Sequence, residues 1–246
     1  MDKLVYVAMS GAKQTLAAQA ANNYNLANAS TVGFKADLSA FQSRAITGPG
    51  YSSRVYATTS SVGLDATPGE QMQTGNPLDV AVQGSGYIAV QDAFGNEAYT
   101  RAGDLHVDPS GLLMTATGYQ VLGDDGPITV PPAASVTIGT DGTISVVPTG
   151  QTPVSMARVG RIKLVNPAAD SVQRGTDGLY RTTDGTPAAA DANTTLASGV
   201  LESSNVNIPA CLVNMIELAR QFELQIKSLH TAEDDAASSS KLLQSS

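Results

Sequence analysis

Helical hydrophobic periodicity marks the two ends of the chain, and strand-like alternation marks the long middle. Residues 1–30 hold no proline and one glycine, Gly11, and are rich in alanine and glutamine. Val5, Ala8, Met9, Ala12 and Leu16 fall near one helical stripe, which predicts a helix. That helix runs into "NNYNLANASTVGFK", residues 22–35, where four asparagines occupy seven positions. Asparagine competes with the helix through its own side-chain hydrogen bonds. Gly33 suits the left-handed position just past a helix C-terminus, with Phe34 placed for the accompanying apolar contact.

The C-terminal pattern is stronger. Leu212, Ala219 and Ile226 recur every seven residues, as do Met215, Phe222 and Leu229. They read as the a and d positions of a coiled-coil seam. The pattern then decays, with Glu233 and Ser240 at a and Ala236 and Leu243 at d. Asn207 is placed to cap this helix, and Pro209 lies where a first turn tolerates it. Its partner is either a sheet of its own domain or the N-terminal helix. The scarcity of large apolar anchors in the middle favours helix on helix.

Residues 45–75 are rich in Ser, Thr and Gly and read as an extended arm or hairpin. From 76 to 200 the pattern is β. "LDVAVQGSGYIAVQ" alternates, turns at Gly84-Ser85-Gly86 and alternates again. "DPSG" at 108–111 has the form of a type I turn. Asp-Gly pairs begin at 125, 141, 177 and 184. The fold class expected is α+β, with a mainly antiparallel β domain over 76–204 and an arm over 36–75. Residues 1–35 and 205–246 would form a terminal helical domain together.

Charge and cysteine content narrow the chemistry. The net charge of -8 argues against nucleic acid, which needs clustered Lys and Arg. The single cysteine, Cys211, excludes an internal disulfide and any Cys-based zinc site, and reads as a small buried residue. No apolar run reaches the 18 or so residues of a membrane span. The apolar run Leu4–Met9 is shorter than the roughly 7–15 residues of a secretory signal core, so no cleaved signal is expected.

No catalytic constellation emerges, and no cofactor or metal is expected. His106 reads as a solvent-facing strand residue and His230 follows the C-terminal seam. No Gly-x-Ser-x-Gly elbow and no Gly-Lys pair of a phosphate loop occur. Gly84-Ser85-Gly86 begins a dinucleotide fingerprint, but its flanks read as strands. Asp104 with Asp108, and Asp124 with Asp125, could hold a cation weakly, yet Asp is expected at such turns for backbone reasons. A glycosidase carboxylate pair stays open, because its members can lie far apart in sequence.

Three motifs in order carry a resemblance that spans nearly the whole chain. "NLANASTVGFKAD" at 25–37 and "LESSNVNIPACLVNMIELARQFELQIK" at 201–227 resemble the N- and C-terminal signatures of the flagellar axial proteins of rod and hook. "PLDVAVQGSGYIAVQDAFGNEAYTRAGDLHVDPSGLLMTATGYQVLG" resembles their shared central β domain. The opening segment, "RVGRIKLVNP" and "VQRGTDGLYRT" are most similar to the proximal rod subtype, with the distal rod subtype the near alternative. The resemblance implies a structural rod subunit that polymerises helically with itself and with neighbouring rod proteins. It implies export by the flagellar type III apparatus, a periplasmic place in the basal body, torque transmission and enclosure of the export channel. It also implies an assembly interface that includes Leu4, Leu16, Asn25, Asn28, Gly33 and Phe34 as well as the six seam residues. The asparagines would bond sideways between packed helices, as a buried Asn does in coiled coils. The plainer reading of Asn28 is a helix-end cap. A periplasmic glycan-active enzyme and a β-rich surface adhesin remain as readings from other classes.

Overall fold

A computed structural model describes residues 2–45, 55–149 and 156–244. The fold is α+β, as the two periodicities predict, and the chain divides into two units. The first comprises Met1–Ala29, Asp37–Gly63 and Val206–Ser246. The second comprises Ser30–Ala36 and Leu64–Asn205. Residues 30–36, read from the sequence with the N-terminal helix, thus lie in the second unit, and most of the arm lies in the first.

In the first unit, helix α1 (Asp2–Ala27) packs along helix α2 (Ile208–Gln244). They run antiparallel, since Gly11 meets Gln225 while Asn22 reaches Cys211. With 37 residues against 26, α2 is longer by about 16 Å at 1.5 Å per residue. Strands β1 (Asp37–Ala45) and β2 (Val55–Leu64) form a two-stranded sheet, whose connection at 46–54 lies outside the described residues.

Each helix end has a local cause. Asn207 Oδ1 accepts from the amide of Ala210 at 3.0 Å, and its carbonyl accepts from Cys211 N at 3.0 Å, so it caps α2 as expected. Pro209 sits in the first turn, where a missing N–H leaves no intrahelical bond unmade. At the end of α1 the amide of Asn28 is shared between the carbonyls of Tyr24 and Asn25, at 3.2 and 3.1 Å. Ala29 then bonds back three residues to Leu26, so the last turn tightens and stops. This corrects the expectation for Gly33. Its φ of +67° is left-handed, but it lies six residues beyond Ala27 and does not close the helix.

The second unit is built of short antiparallel strands. Those through its first half are β3 (Gln71–Gln73), β4 (Val80–Gln83), β5 (Tyr87–Gln91), β6 (Glu97–Thr100), β7 (Leu105–Val107), β8 (Leu113–Thr115), β9 (Gln120–Gly123) and β10 (Gly126–Pro127). They are followed by β11 (Ala133–Ile138), β12 (Thr143–Pro148), β13 (Ala157–Arg161), β14 (Leu164–Val165), β15 (Val172–Arg174), β16 (Tyr180–Thr182), β17 (Thr195–Ser198) and β18 (Val200–Glu202). The main sheet runs β15-β16-β6-β5-β9-β8-β7, with β10 beside β9 and β14 beside β5. A second sheet is β11-β12-β13, and β17 pairs β4 while β18 pairs β3.

Aliphatic residues from these strands share one core, including Val80, Ile88, Leu113, Val121, Ile144, Ile162 and Leu196. The chain does turn at Gly84-Ser85-Gly86, but β4 and β5 do not pair, because they belong to different sheets. Burial does not alternate along them either. Val80, Ala81 and Val82 are all buried, as are Tyr87 through Val90. Both faces of these strands are covered, which removes the polar side that alternation implies.

Candidate functional site

The helix pair packs on small residues. The face of α1 turned to α2 carries Ala8, Ala12, Thr15, Ala18, Asn22 and Asn25, of which all but Ala8 are buried. Small side chains let two helices approach closely, and Gly11 extends the effect. A Cβ there would lie 3.1 Å from Gln225 Nε2. That amide donates to Thr15 Oγ1 at 3.1 Å, and the Thr15 hydroxyl donates to Gly11 O at 3.1 Å. Asn22 Nδ2 donates to the Cys211 carbonyl at 2.8 Å. Cys211 is buried as expected, and burial pushes its thiol pKa up.

On α2 the residues facing α1 are Cys211, Met215, Leu218, Phe222, Gln225, Leu229 and Ala232. The series Met215, Phe222, Leu229 is half-buried in the seam, as the heptads predict. The other series stands one residue earlier than the hydrophobic pattern suggests. Leu212, expected at a, is 42% exposed, while Ala219 and Ile226 are half-buried on the flank. The pairing of Gln225 with Thr15 and Gly11 explains the shift, because a polar residue at the seam is satisfied there. The side chains of Leu4, Ala236, Ser240 and Leu243 lie outside the described residues.

The rotation leaves large apolar residues facing outward. On α1 these are Tyr6, Met9, Leu16 and Tyr24, each at least 40% exposed. Their spacing of three, seven and eight residues keeps them on one face. On α2, Val213, Ile216 and Leu224 are exposed on the side opposite the seam, given about 3.6 residues per turn. Leu16, an expected interface residue, belongs to this outward set.

Asn25 is buried, and Asn28 is half-buried with its Nδ2 donating to Tyr24 O at 2.9 Å. Asn25 instead pairs with Asp37, its amide donating to the Asp37 carbonyl and accepting from the Asp37 amide. The asparagines therefore do different work: one crosses to α2, one fixes the first residue of β1, and one bonds its own helix end.

A second built feature lies within the second unit. Gly33, Phe34 and Lys35 are all buried there. A Cβ on Gly33 would stand 2.3 Å from the Arg101 carbonyl carbon, so the close approach and the positive φ both require glycine. The Gly33 amide donates to Glu202 O at 2.8 Å, and Asn205 N to Phe34 O at 3.3 Å. Arg174 lies 4.4 Å over the Phe34 ring and donates to the Lys35 carbonyl. Beneath this seam is a buried ion cluster. Glu202 Oε1 accepts from Lys35 Nζ at 2.6 Å and from Gly69 N at 2.9 Å. Glu202 Oε2 accepts from Arg101 Nε at 2.8 Å. The rest of the Arg101 fork donates to the carbonyls of Gly86, Gly84 and Val82.

Burial opposes the charge on Glu202 most strongly, yet Lys35, Arg101 and the Gly69 amide together hold its pKa below the ordinary value. Burial lowers the Lys35 pKa, the hydrogen bond to Glu202 pulls it back and Arg101 lowers it further. Chemically this cluster is a lock. It joins the 33–35 segment, the 67–69 loop, the residue that follows β6, and β18. Lys35, Arg101, Arg174 and Glu202 were not singled out by the sequence, because they lie up to 167 residues apart. All four lie inside the quoted motifs, in "GFK", "YTRAG", "VQRG" and "LES", but nothing local marks them as partners.

Two of the weaker sequence candidates resolve as structure. Asp108 is committed to its turn, accepting from Ser110 Oγ and from Leu112 N. His106 is exposed on β7. Among the described residues no group of three or more His, Cys, Asp or Glu could hold a metal ion, and no helix is long and apolar enough to cross a membrane.

Comparison with known proteins adds to this geometry. Residues 81–146 match the family described as flagellar hook protein FlgE/F/G D1 domain. Residues 197–242 match the C-terminal family of the flagellar basal body rod FlgEFG proteins. The flagellar basal-body rod protein FlgF of Escherichia coli (strain K12) is 45% identical over 100% of both chains. FlgF of Salmonella typhimurium is 44% identical over the same extent. FlgG of Bacillus subtilis (strain 168) is 32% identical, covering 95% of this chain and 96% of its own.

Proposed function

The chain belongs to the flagellar basal-body rod protein family and within it is most like FlgF, and from that premise we propose that the outward faces of its helix pair are where it polymerises. It is a structural axial subunit of the basal-body rod. The observation that carries the proposal is the double-sided character of α1 and α2. The inner face of α1 offers Ala, Gly, Thr and Asn to Met215, Phe222 and Leu229 of α2, and Tyr6, Met9, Leu16, Tyr24, Val213, Ile216 and Leu224 are left exposed. Large apolar side chains exposed together on the outward face of a helix mark a place for other chains.

Helical polymerisation with itself and with other rod proteins, torque transmission and enclosure of an export channel follow from this reading. The interface comprises Leu4, Leu16 and the flanking Leu212, Ala219 and Ile226, with Met215, Phe222 and Leu229 setting the helix pair that presents them. Asn25, Asn28, Gly33 and Phe34 shape the exit from α1. Export through the flagellar type III apparatus belongs to the same reading. A periplasmic position within the rod accompanies it. The chain is read as non-catalytic, which the rod-protein names of its relatives support, and as independent of nucleic acid, which its net charge supports. The distal-rod alternative has the weaker support, because FlgG relatives match at 32–33% and the two enterobacterial FlgF chains at 44–45%.

The test is a pair of outward-face variants, Leu16→Asp and Leu224→Asp, expressed in a strain lacking the protein. Both side chains are exposed, at 50% and 64%, so the circular dichroism of the purified variants should match the parent. Rod incorporation and motility should be lost. Normal rods from both variants would overturn the proposal.

A further inference from the structure

One side-chain amide in the second unit gathers three passages of the chain. The chain crosses between the two units four times, at 29–30, 36–37, 63–64 and 205–206. Asn205, the last residue before the fourth crossing, is half-buried. Its Oδ1 accepts from the amide of Ala36, the last residue before the second crossing, at 2.8 Å. Its Nδ2 donates to Asp65 O at 3.1 Å and to Thr67 O at 3.0 Å, just after the third crossing. The three segments are also bonded directly, Asp65 N donating to Ala36 O at 2.8 Å and Asn205 N to Phe34 O at 3.3 Å. Asp65 Oδ1 fixes Thr67 by accepting from its amide and its hydroxyl, at 2.9 and 2.8 Å. An asparagine amide offers two N–H donors and one carbonyl acceptor on a short stem, which is what a meeting of three backbones requires.

These segments stand apart from the apolar cores. Among the described residues, neither core cluster of the second unit takes a member from 33–36, 65–70 or 202–205. Phe34 is buried beneath the Arg174 guanidinium instead. The ties are mostly polar. They are the amide bonds above and the Lys35–Glu202 pair, and Thr67 O accepts from Lys35 Nζ at 2.7 Å as well as from Asn205. Opening such a place returns its charges and carbonyls to water, which offsets much of the attraction that is lost. An apolar core receives no such return. Regions with few buried apolar contacts therefore open below the free energy of global unfolding, and they open as contiguous units.

We propose that Asn205 is the latch of a conformational device: segments 33–36, 65–70 and 202–205 open and close together as one cooperative unit while the β sheets stay folded. Closed, the latch makes one tie of three chain passages, so a pull on one passage is carried by the others. Open, each passage is a single strand of chain free to turn about its own backbone dihedrals. The device belongs to the single subunit. It goes beyond the helix-face reading and stands or falls without it.

Native-state hydrogen exchange on the full-length protein, across low denaturant concentrations, tests it without any substitution. The amides of Gly33, Ala36, Asp65, Ser203 and Asn205 all donate within this unit. They should share one opening free energy and one denaturant slope, both smaller than those of β5 and β12. Unrelated openings, or openings equal to those of the strands, would overturn the proposal. In Asn205→Ala, exchange should quicken on the order of tenfold or more across all three segments and stay at the parent's rate in β5 and β12. Equal acceleration throughout the sheets would make Asn205 a part of the global fold, and acceleration at 203–205 alone would make it a local bond. Either result would refute the latch. Asn205→Asp separates a cooperative latch from independent bonds. It keeps an oxygen for the Ala36 amide but sets a carboxylate against the Asp65 and Thr67 carbonyls. A latch should then release 33–36 together with 65–70. Protection kept at 33–36 while 65–70 loses it would show separate bonds and sink the idea.

Discussion

Asn25 and Asp37 bond each other twice, as two strand residues would. Asn25 Nδ2 donates to Asp37 O at 3.0 Å, and Asp37 N donates to Asn25 Oδ1 at 2.9 Å. The Asn25 amide turns one N–H and its C=O to the same side, as a strand residue does, so it substitutes for a strand neighbour at the first residue of β1. That geometry needs asparagine and no other residue of similar size.

Replacing Asn25 therefore strands one part-buried donor and one acceptor, the Asp37 amide and carbonyl. Asn25→Ala should destabilise the helix-containing unit by about 2 kcal/mol, from two lost bonds and their desolvation. Asn25→Asp should also be unfavourable, because a carboxylate would face the Asp37 carbonyl in place of a donor. Urea unfolding followed by helix circular dichroism measures both. A stability equal to the parent's for either variant would contradict the pairing.

Glu202→Gln should cost about 3–5 kcal/mol, since Lys35 and Arg101 stay buried without their counter-charge. The pH dependence has a definite sign. The folded-state pKa of Glu202 lies below its ordinary value, so the folded state binds fewer protons on this group than the unfolded chain. Its stabilisation is complete above the ordinary glutamate range and is lost as pH falls through the lowered folded value. Asp92 and Asp177, lowered chiefly by Arg181, contribute in the same direction. Denaturation midpoints measured from pH 7 down to about 2.5 should fall for the parent protein, and fall less steeply for Glu202→Gln. Parallel curves would refute the role of Glu202.

Phe222 sits half-buried in the middle of the α1–α2 seam. Phe222→Asp should therefore break the helix pair in the subunit itself, by several kcal/mol as an order of magnitude, and prevent assembly. The second unit has its own core and should keep its β signal. The pair is thin even in the parent, because the α1 side of its seam is made of small residues. Hydrogen exchange should be faster across 5–25 and 208–232 than in β5, β6 and β12. Slower exchange in the helices than in those strands, or lost β structure in the variant, would overturn this account.

Gly33→Ala should be among the most disruptive single substitutions. It adds a Cβ 2.3 Å from the Arg101 carbonyl carbon at a φ of +67°. The left-handed conformation alone costs roughly 1–2 kcal/mol, and the backbone overlap adds to it. Gly118→Ala, also at positive φ but with open space around its Cβ, should show the conformational cost alone. Equal melting temperatures for the two variants would refute the close approach.

The Asn207 cap, the Asp108 turn, the Met215–Phe222–Leu229 series and the division into helical ends and β middle were all determined by the sequence itself. Each depends on residues within a few positions of one another, and such patterns survive without knowledge of the fold. What the tertiary structure decided is where segments far apart in sequence meet. The a series of the seam moved from Leu212 and Ile226 to Cys211 and Gln225, because Thr15 bonds the Gln225 amide and Gly11 leaves it room, which no hydropathy pattern favours. Gly33 became a contact point for Arg101 in place of a helix cap. Lys35, Arg101 and Glu202 look like ordinary surface charges when read along the chain. They become a buried lock only when three segments separated by 66 and 101 residues fold together, because a charge leaves water only where its partners already stand.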